Sequence, residues 1–236
     1  LKIYYPSGGP PSPKPNILHH SDLIHALWEG NVEILTSSTA SENGDITIAS
    51  PLNAESGFTT PYNLTLTSDR DINIITEVQN AGSGDITCNA GRDLNLVGAN
   101  DMCSIGTKNG NVYINANRNV LLSGGKGLAQ IGYSGPKVSS NIYLNIGNDL
   151  IMQSGNNLAL IGHTSTVTYP AKIFLEGNIS ISHLGGNIFM TSGSTSSQYC
   201  QIGHAIPYYD EKYGKRVSNL LQTMKEDYEH GQSNDE

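Results

Sequence analysis

The chain has 236 residues, of which 26 are glycine, 37% are hydrophobic and only 14% are charged. A globular enzyme of this length has about a quarter of its residues charged, whereas a disordered tract is poorer in apolar residues. The composition therefore favours a folded, turn-rich β protein. Its 13 basic and 21 acidic residues give a net charge of −8, which argues against nucleic-acid binding because phosphate contacts need a clustered basic face.

Residues 1–30 divide into a Pro-rich lead-in and a short capping segment. The prolines between Pro6 and Pro15 exclude a helix and disfavour a central strand over residues 1–16. After them the sequence predicts a short helix that ends at Gly30 and is capped by Ser21 or Asp22. Its apolar positions at helical spacing are Leu23, Ile24, Leu27 and Trp28. We expect this helix to seal the first rung of the structure that follows.

From residue 31 to residue 206 three short patterns recur in cyclic order. The first is Gly-Asp or Gly-Asn followed by alternating apolar residues, and it begins at Gly44, Gly84, Gly110 and Gly186. The second is a turn followed by an acidic or amide residue and an apolar strand, with that residue at Asp71, Asp93, Asn119 and Asp149. The third is an Ile-Gly pair that ends a short run, at Ile105, Ile131, Ile161 and Ile202.

This cyclic order predicts a β-solenoid. Alternation with period two marks strands with one face inward, and Gly, Asn and Asp supply the tight corners between them. The spacing is 22 residues from Asp71 to Asp93 and 26 from Asp93 to Asn119. At ~22 residues a coil, roughly eight coils would make a stack of about 40 Å. Longer intervals indicate loops, for which Ser134–Ser140 and Thr164–Ala171 are the candidates.

The last segment, residues 207–236, changes character. Val217–Glu229 has the spacing of a short amphipathic helix, and an acidic tail follows it. This helix either caps the last coil or contacts a neighbouring subunit, since repeat stacks need covered ends and Tyr suits interfaces. The candidate interface residues are Tyr208, Tyr209, Tyr213, Leu220, Leu221 and Met224.

Three stretches resemble a known family. They are SDLIHALWEGNVEILTSSTASENGDITIASPLN (21–53), NLTLTSDRDINI (63–74) and GDITCNAGRDLNL (84–96). In this order they resemble the secretion-domain repeats of filamentous haemagglutinin and related two-partner-secreted adhesins. The resemblance extends over residues 22–204.

The resemblance implies an all-β fold, a right-handed parallel β-helix, exported to the bacterial surface or into the medium. It implies a non-enzymatic structural or adhesive rod, with a host surface protein or glycan, a fibre neighbour or another copy of the chain as partner. The sequence contains no run of eighteen apolar residues, so we predict no helical membrane span.

Two other functions stay open: a secreted self-assembling effector or virulence factor, as a trimer or filament, and a carbohydrate-active β-helix enzyme. The corner acids Asp45, Asp71, Asp85, Asp93 and Asp149 are expected to bond local backbone N–H groups and not to catalyse glycan cleavage. We therefore predict no catalytic and no cofactor-binding residues.

We also predict no metal-binding residues. His163 and His204 follow equivalent Ile-Gly pairs and could stack, but Thr107 and Tyr133 occupy the same place in other repeats, so exposed corner residues are expected. The three cysteines, Cys88, Cys103 and Cys200, form no C-x-x-C pair and are expected to be small buried core residues, with one disulfide open.

Overall fold

The computed structural model describes residues 2–4, 17–38, 43–165, 174–194, 198–204, 209–210 and 215–216, with the backbone alone for the first and the last two ranges. These residues form an all-β arrangement of mostly parallel sheets with a single helix. The arrangement is consistent with a parallel β-helix or solenoid. No helix in the described part of the chain is long and apolar enough to cross a membrane.

The helix α1 spans His20–Glu29 and begins one turn earlier than a cap at Ser21 or Asp22 would require. Its N-cap is His19, which makes no side-chain capping bond, so the predicted cap was wrong. Gly30 ends the helix as predicted. Leu23, Ile24 and Leu27 are buried, whereas Trp28 is 55% exposed and is not part of the buried face.

Three parallel sheets contain most of the strands. The first sheet has the order β3 (Val32–Leu35), β5 (Leu64–Ser68), β8 (Ile86–Ala90), β11 (Val112–Ala116), β15 (Ile142–Ile146), β19 (Ile179–Leu184). The second has the order β2 (Ile17–His19), β1 (Lys2–Tyr4), β4 (Ile46–Ile48), β6 (Ile72–Ile74), β9 (Leu94–Gly98), β12 (Val120–Gly124), β16 (Leu150–Ser154), β20 (Ile188–Thr191). The third has the order β7 (Glu77–Asn80), β10 (Cys103–Thr107), β13 (Ala129–Ile131), β17 (Ala159–Ile161), β21 (Cys200–Ile202).

The chain visits the first, second and third sheets in turn, and we call one such passage a coil. The first sheet holds six strands, so the described chain makes six coils and not the eight expected. Coils are longer than the assumed length because the corner residues of successive coils are 22 to 38 residues apart. In the first coil, Leu52 takes the place of a third-sheet strand through a bridge to Val78.

Two features of the connecting segments differ from the expectation. Residues 137–139, expected to be loop, form β14 (Lys137–Ser139), which pairs in parallel with β18 (Phe174–Glu176) outside the three sheets. Within the lead-in, where a central strand was not expected, β1 lies between β2 and β4 in the second sheet. A strand fits here since β1 ends at Tyr4, before the first proline, Pro6. A short antiparallel pair, β22 (Tyr209–Asp210) and β23 (Lys215–Arg216), follows the coils.

Matched strands place their apolar residues in columns that face the core. In the first sheet, Leu66, Cys88, Ile114 and Leu144 are paired in register and each is at most 1% exposed. The second and third sheets repeat this arrangement, with Ile74, Leu96 and Leu122 in one column and Val78, Ile105 and Ile131 in the other. Each coil therefore shields the apolar side chains of the next, as repeat stacks require.

The repeat classes of the sequence do not all map to single sheets. The second class lies entirely in the second sheet and the third class entirely in the third sheet. The first class is split, because the patterns at Gly84 and Gly110 lead into the first sheet and those at Gly44 and Gly186 into the second.

Candidate functional site

The corner between the first and second sheets carries a ladder of acids and arginines. Asp45, Asp71 and Asp93 stand one above another, and each accepts two hydrogen bonds from an arginine of the following coil. The pairs are Arg70 with Asp45, Arg92 with Asp71 and Arg118 with Asp93. Nε–Oδ1 distances are 2.7 to 2.8 Å, so the planar guanidinium binds each carboxylate through two nitrogens.

The same carboxylates also accept backbone N–H groups, although not the local ones that the sequence predicted. Asp45 accepts the N–H of Asp71 at 3.1 Å, and Asp93 accepts that of Asn119 at 3.1 Å, so the bonds join neighbouring coils and are not local. Hydrogen bonds from Arg70 lower the pKa of the Asp45 carboxyl below its ordinary value. These acids are structural, and the arginine partners were missed because each lies 21 to 25 residues away.

The ladder loses its arginines in the later coils. Asn119 accepts the N–H of Asp149 at 3.2 Å and the side-chain amide of Asn148 at 3.0 Å, and Asp149 accepts the N–H of Asn187 at 2.9 Å. Gly186 stands where the earlier coils have arginine. Backbone capping therefore continues through all of these corners, while charge pairing is confined to the first part of the stack.

A second ladder precedes each strand of the first sheet. Asn63 donates its N–H to the Asn31 side chain at 2.9 Å, and Asp85 donates to Asn63 at 2.8 Å. Asn111, Asn141 and Asn178 continue the column in the same way. Each of these donors is a backbone N–H at a corner, where no strand partner satisfies it.

The corner that leaves the third sheet is built on glycines. Gly132, Gly162 and Gly203 have φ values of +141°, +148° and +138°, a region that L side chains rarely adopt. A Cβ on Gly162 would lie 2.2 Å from the carbonyl oxygen of Gly203. The closeness of successive backbones here explains the Ile-Gly pattern of the sequence.

The residue after each of these corners ties the connecting segment to the stack. In the second coil this residue is Asn80, which accepts the N–H of Thr60 and donates to the Thr60 carbonyl, both at 3.0 Å. In the third coil it is Thr107, which donates to the carbonyl of Gly84 at 2.9 Å. In the last two coils the same position is histidine.

His163 and His204 stack face to face, with ring centroids 4.7 Å apart and planes 9° from parallel. His163 is fully buried, so the expectation of an exposed corner residue was wrong for it. The loop that contains β14 folds over the corner and removes the ring from water. His204 is partly buried.

Neither imidazole has a ring nitrogen left to bind a metal. Nδ1 of His163 accepts the N–H of Tyr133 at 3.0 Å, and its Nε2 lies 2.7 Å from the carbonyl oxygen of Ser140. His204 repeats the pattern with the N–H of His163 and the carbonyl of Gly177. Burial lowers the pKa of His163 to about 4. In the described residues no three His, Cys, Asp or Glu side chains are grouped as metal ligands.

The outer surface offers two features for recognition. Tyr113 and Tyr143 lie in register on the outer face of the first sheet and stack with centroids 5.1 Å apart and planes 11° from parallel. Beside the third sheet a shallow depression is lined by Glu55, Glu77 and Tyr133, with the Glu77 carboxylate bonded to the Asn53 amide at 2.6 Å. This depression is where a carbohydrate-active alternative would be tested.

The last coil exposes apolar side chains. Ile188 and Met190 are 44% and 46% exposed, although their partners in the preceding strand, Leu150 and Met152, are fully buried. Phe189 between them is 49% exposed. The predicted interface residues do not enter this account: Tyr208, Tyr213, Leu220, Leu221 and Met224 lie outside the described residues, and Tyr209 is described only by the backbone of β22.

The described cysteines are free. Cys88 and Cys103 are fully buried in the core columns, as expected, and Cys200 is partly buried. Burial raises the pKa of the Cys88 thiol to about 12.

Comparison with known proteins gives no relative for this chain: no protein-family model matches it, and no curated protein or solved structure is significantly similar to it.

Proposed function

We propose that the chain is a right-handed parallel β-helix of the filamentous-haemagglutinin type that acts as a non-enzymatic structural or adhesive rod, exported to the bacterial surface or into the medium. The observation that carries this proposal is the matched register of the inward columns from β5 to β15 and from β6 to β16, together with the corner ladders of the same coils. Such a stack presents rows of outward side chains to a partner.

Support for a surface role comes from where the polar side chains are used. The corner acids and amides are committed to backbone N–H groups and arginines, as described above, so they stabilise the stack and leave little chemistry for turnover. The outward rows include Tyr113 and Tyr143, whose rings stack on the outer face of the first sheet.

The proposal is tested by binding. Purified full-length chain is applied to arrays of host glycans and to immobilised cell-surface proteins, beside a variant carrying Tyr113→Ser and Tyr143→Ser. We expect saturable binding that outward substitutions weaken while the circular dichroism spectrum is unchanged. Depolymerisation of a polysaccharide that Glu77→Gln abolishes would overturn the non-enzymatic assignment, and absence of binding to every surface tested would overturn the adhesive one.

A second candidate, a self-assembling secreted factor, is favoured by the exposed Ile188, Phe189 and Met190 of the last coil. Exposed apolar side chains at the end of a repeat stack are candidates for contact with a partner. Light scattering at several concentrations tests it. We expect the mass of the full chain to exceed that of the monomer and to fall on Phe189→Ser or on deletion of residues 207–236, whereas a monomeric mass at all concentrations would remove this candidate.

A further inference from the structure

The histidine pair of the last two coils occupies a position that the earlier coils fill with side chains that do not titrate near neutral pH. Asn80 accepts backbone N–H groups at Oδ1 and donates to carbonyls from Nδ2, including both groups of Thr60, and His163 satisfies one N–H and one carbonyl with Nδ1 and Nε2. The geometry of the position is thus kept, while a group that can be protonated replaces one that cannot.

The hydrogen bonds fix the protonation state of His163. Nδ1 accepts the Tyr133 N–H and therefore carries no proton, so Nε2 bears the hydrogen that is donated to the Ser140 carbonyl. Protonation would place an N–H on Nδ1 opposite the N–H of Tyr133, and this bond between coils would be lost. The ring is fully buried, so water cannot replace the lost partner without opening the corner.

The surroundings offer no compensating charge. Among the described residues, the charge that acts on His163 is that of His204, stacked at 4.7 Å, and it opposes protonation. The other ionisable side chains on the packed segments are Tyr133, whose pKa is raised, Lys108, which is partly buried, and the exposed Lys137 and Glu176 on β14 and β18. Within the part of the chain that the structure describes, a cationic His163 would therefore lie in a buried site without an acidic partner.

We propose that His163 and His204 form an acid-sensitive latch that holds the two last coils closed when the His163 ring is neutral and releases them when that ring is protonated. The latch joins three segments: the corner after β13, the chain entering β15 and the corner after β21. Opening starts here because the following coil is the least buried part of the described stack.

The sign of the effect follows from the two protonation equilibria. An unfolded histidine titrates near 6.5, and His163 in the closed coil near 4. Between these values the open state binds more protons, so stability present above pH 6.5 is lost as the pH falls toward 4. The opening equilibrium is expected to rise by up to about tenfold for each pH unit in this interval.

Amide hydrogen exchange tests the latch. Opening constants of β17 and β21 are measured from pH 7 to pH 4, after correction for intrinsic exchange, with β8 and β9 as internal reference. His163→Asn copies the Asn80 arrangement without the titration, and His183→Asn, on the exposed face of the following coil, is the matched control. We expect the steep pH dependence in β17 and β21 of the wild type and His183→Asn only.

Equal pH dependence in wild type and His163→Asn would overturn the proposal, as would opening that occurs in β8 and β9 to the same extent. Should His163→Asn fail to fold, ring ¹⁵N chemical shifts of the wild-type protein decide. A neutral ring protonated at Nε2, with a titration midpoint near 4, supports the latch. A midpoint near 6.5 shows that the ring is charged without opening and excludes it.

Discussion

Replacing Gly162 by alanine perturbs the corner at which two coils come closest. At φ +148° an L side chain is strained, and occupying such a sparsely populated region costs about 1–3 kcal/mol. The new Cβ would also lie 2.2 Å from the Gly203 carbonyl oxygen, well inside the 3.4 Å at which ordinary contact begins. Relieving an overlap of this kind costs about another 1–3 kcal/mol. We therefore expect Gly162→Ala to lower the free energy of unfolding by about 2–6 kcal/mol.

Gly30→Ala provides the matched control. Gly30 has φ 175°, which any residue adopts, and a Cβ there meets nothing within 4 Å. Its effect should stay within about 0.5 kcal/mol. Urea unfolding of both variants, followed by far-ultraviolet circular dichroism, gives the comparison, and hydrogen exchange in β17 and β21 shows whether the loss is local. A Gly162→Ala midpoint that equals that of Gly30→Ala would refute the reasoning, because neither strain nor overlap would then be present.

Three further outcomes follow from the columns and ladders. Ile114→Ala empties a fully packed column and should cost about 2–5 kcal/mol, whereas Thr87→Ala on the outer face should cost less than about 1, as urea midpoints will show. Cys88, buried with a pKa raised to about 12, should resist iodoacetamide at pH 8 in the native protein and react in urea, which mass spectrometry detects; rapid native labelling would contradict its burial. Asn119→Asp combined with Asn148→Arg should extend the acid–arginine ladder and raise the thermal midpoint above that of either single variant. The reason is that the backbone N–H of Asn148 bonds the carbonyl of Arg118 just as that of Arg118 bonds the carbonyl of Arg92. Single effects that simply add would show that no pair forms.

The columns could be predicted from the sequence because inward residues alternate along each strand and the corner signals repeat. Ile105, Ile131 and Ile161 follow this pattern and lie in one column of the third sheet. The number of coils could not be predicted in the same way, since the chain between Gly132 and Asn141 adds a strand outside the three sheets. Glycine and serine in that segment give the same local signal whether it forms a loop or β14.

The site was harder to predict than the fold because its contacts depend on neighbouring coils. Arg92 and Asp71 are 21 residues apart, and only the final register brings them together. The stacking of His163 and His204 could be read from their equivalent repeat positions, but their burial could not, since it depends on the segment that covers the corner. Local patterns therefore determine the strands, and coil-to-coil contacts determine which polar groups are protected from water.

These contacts divide the side chains of each coil into two classes with different tolerance to change. Inward residues and corner residues touch the coils above and below, so a substitution there affects several coils at once. One outward column contains Thr65, Thr87 and Tyr113. Its register is kept although threonine and tyrosine side chains differ in size and chemistry. A stack of this kind can therefore change what its faces bind without changing how it folds, and this separation is the physical reason to look for recognition on the outer faces and for acid sensitivity at the corners.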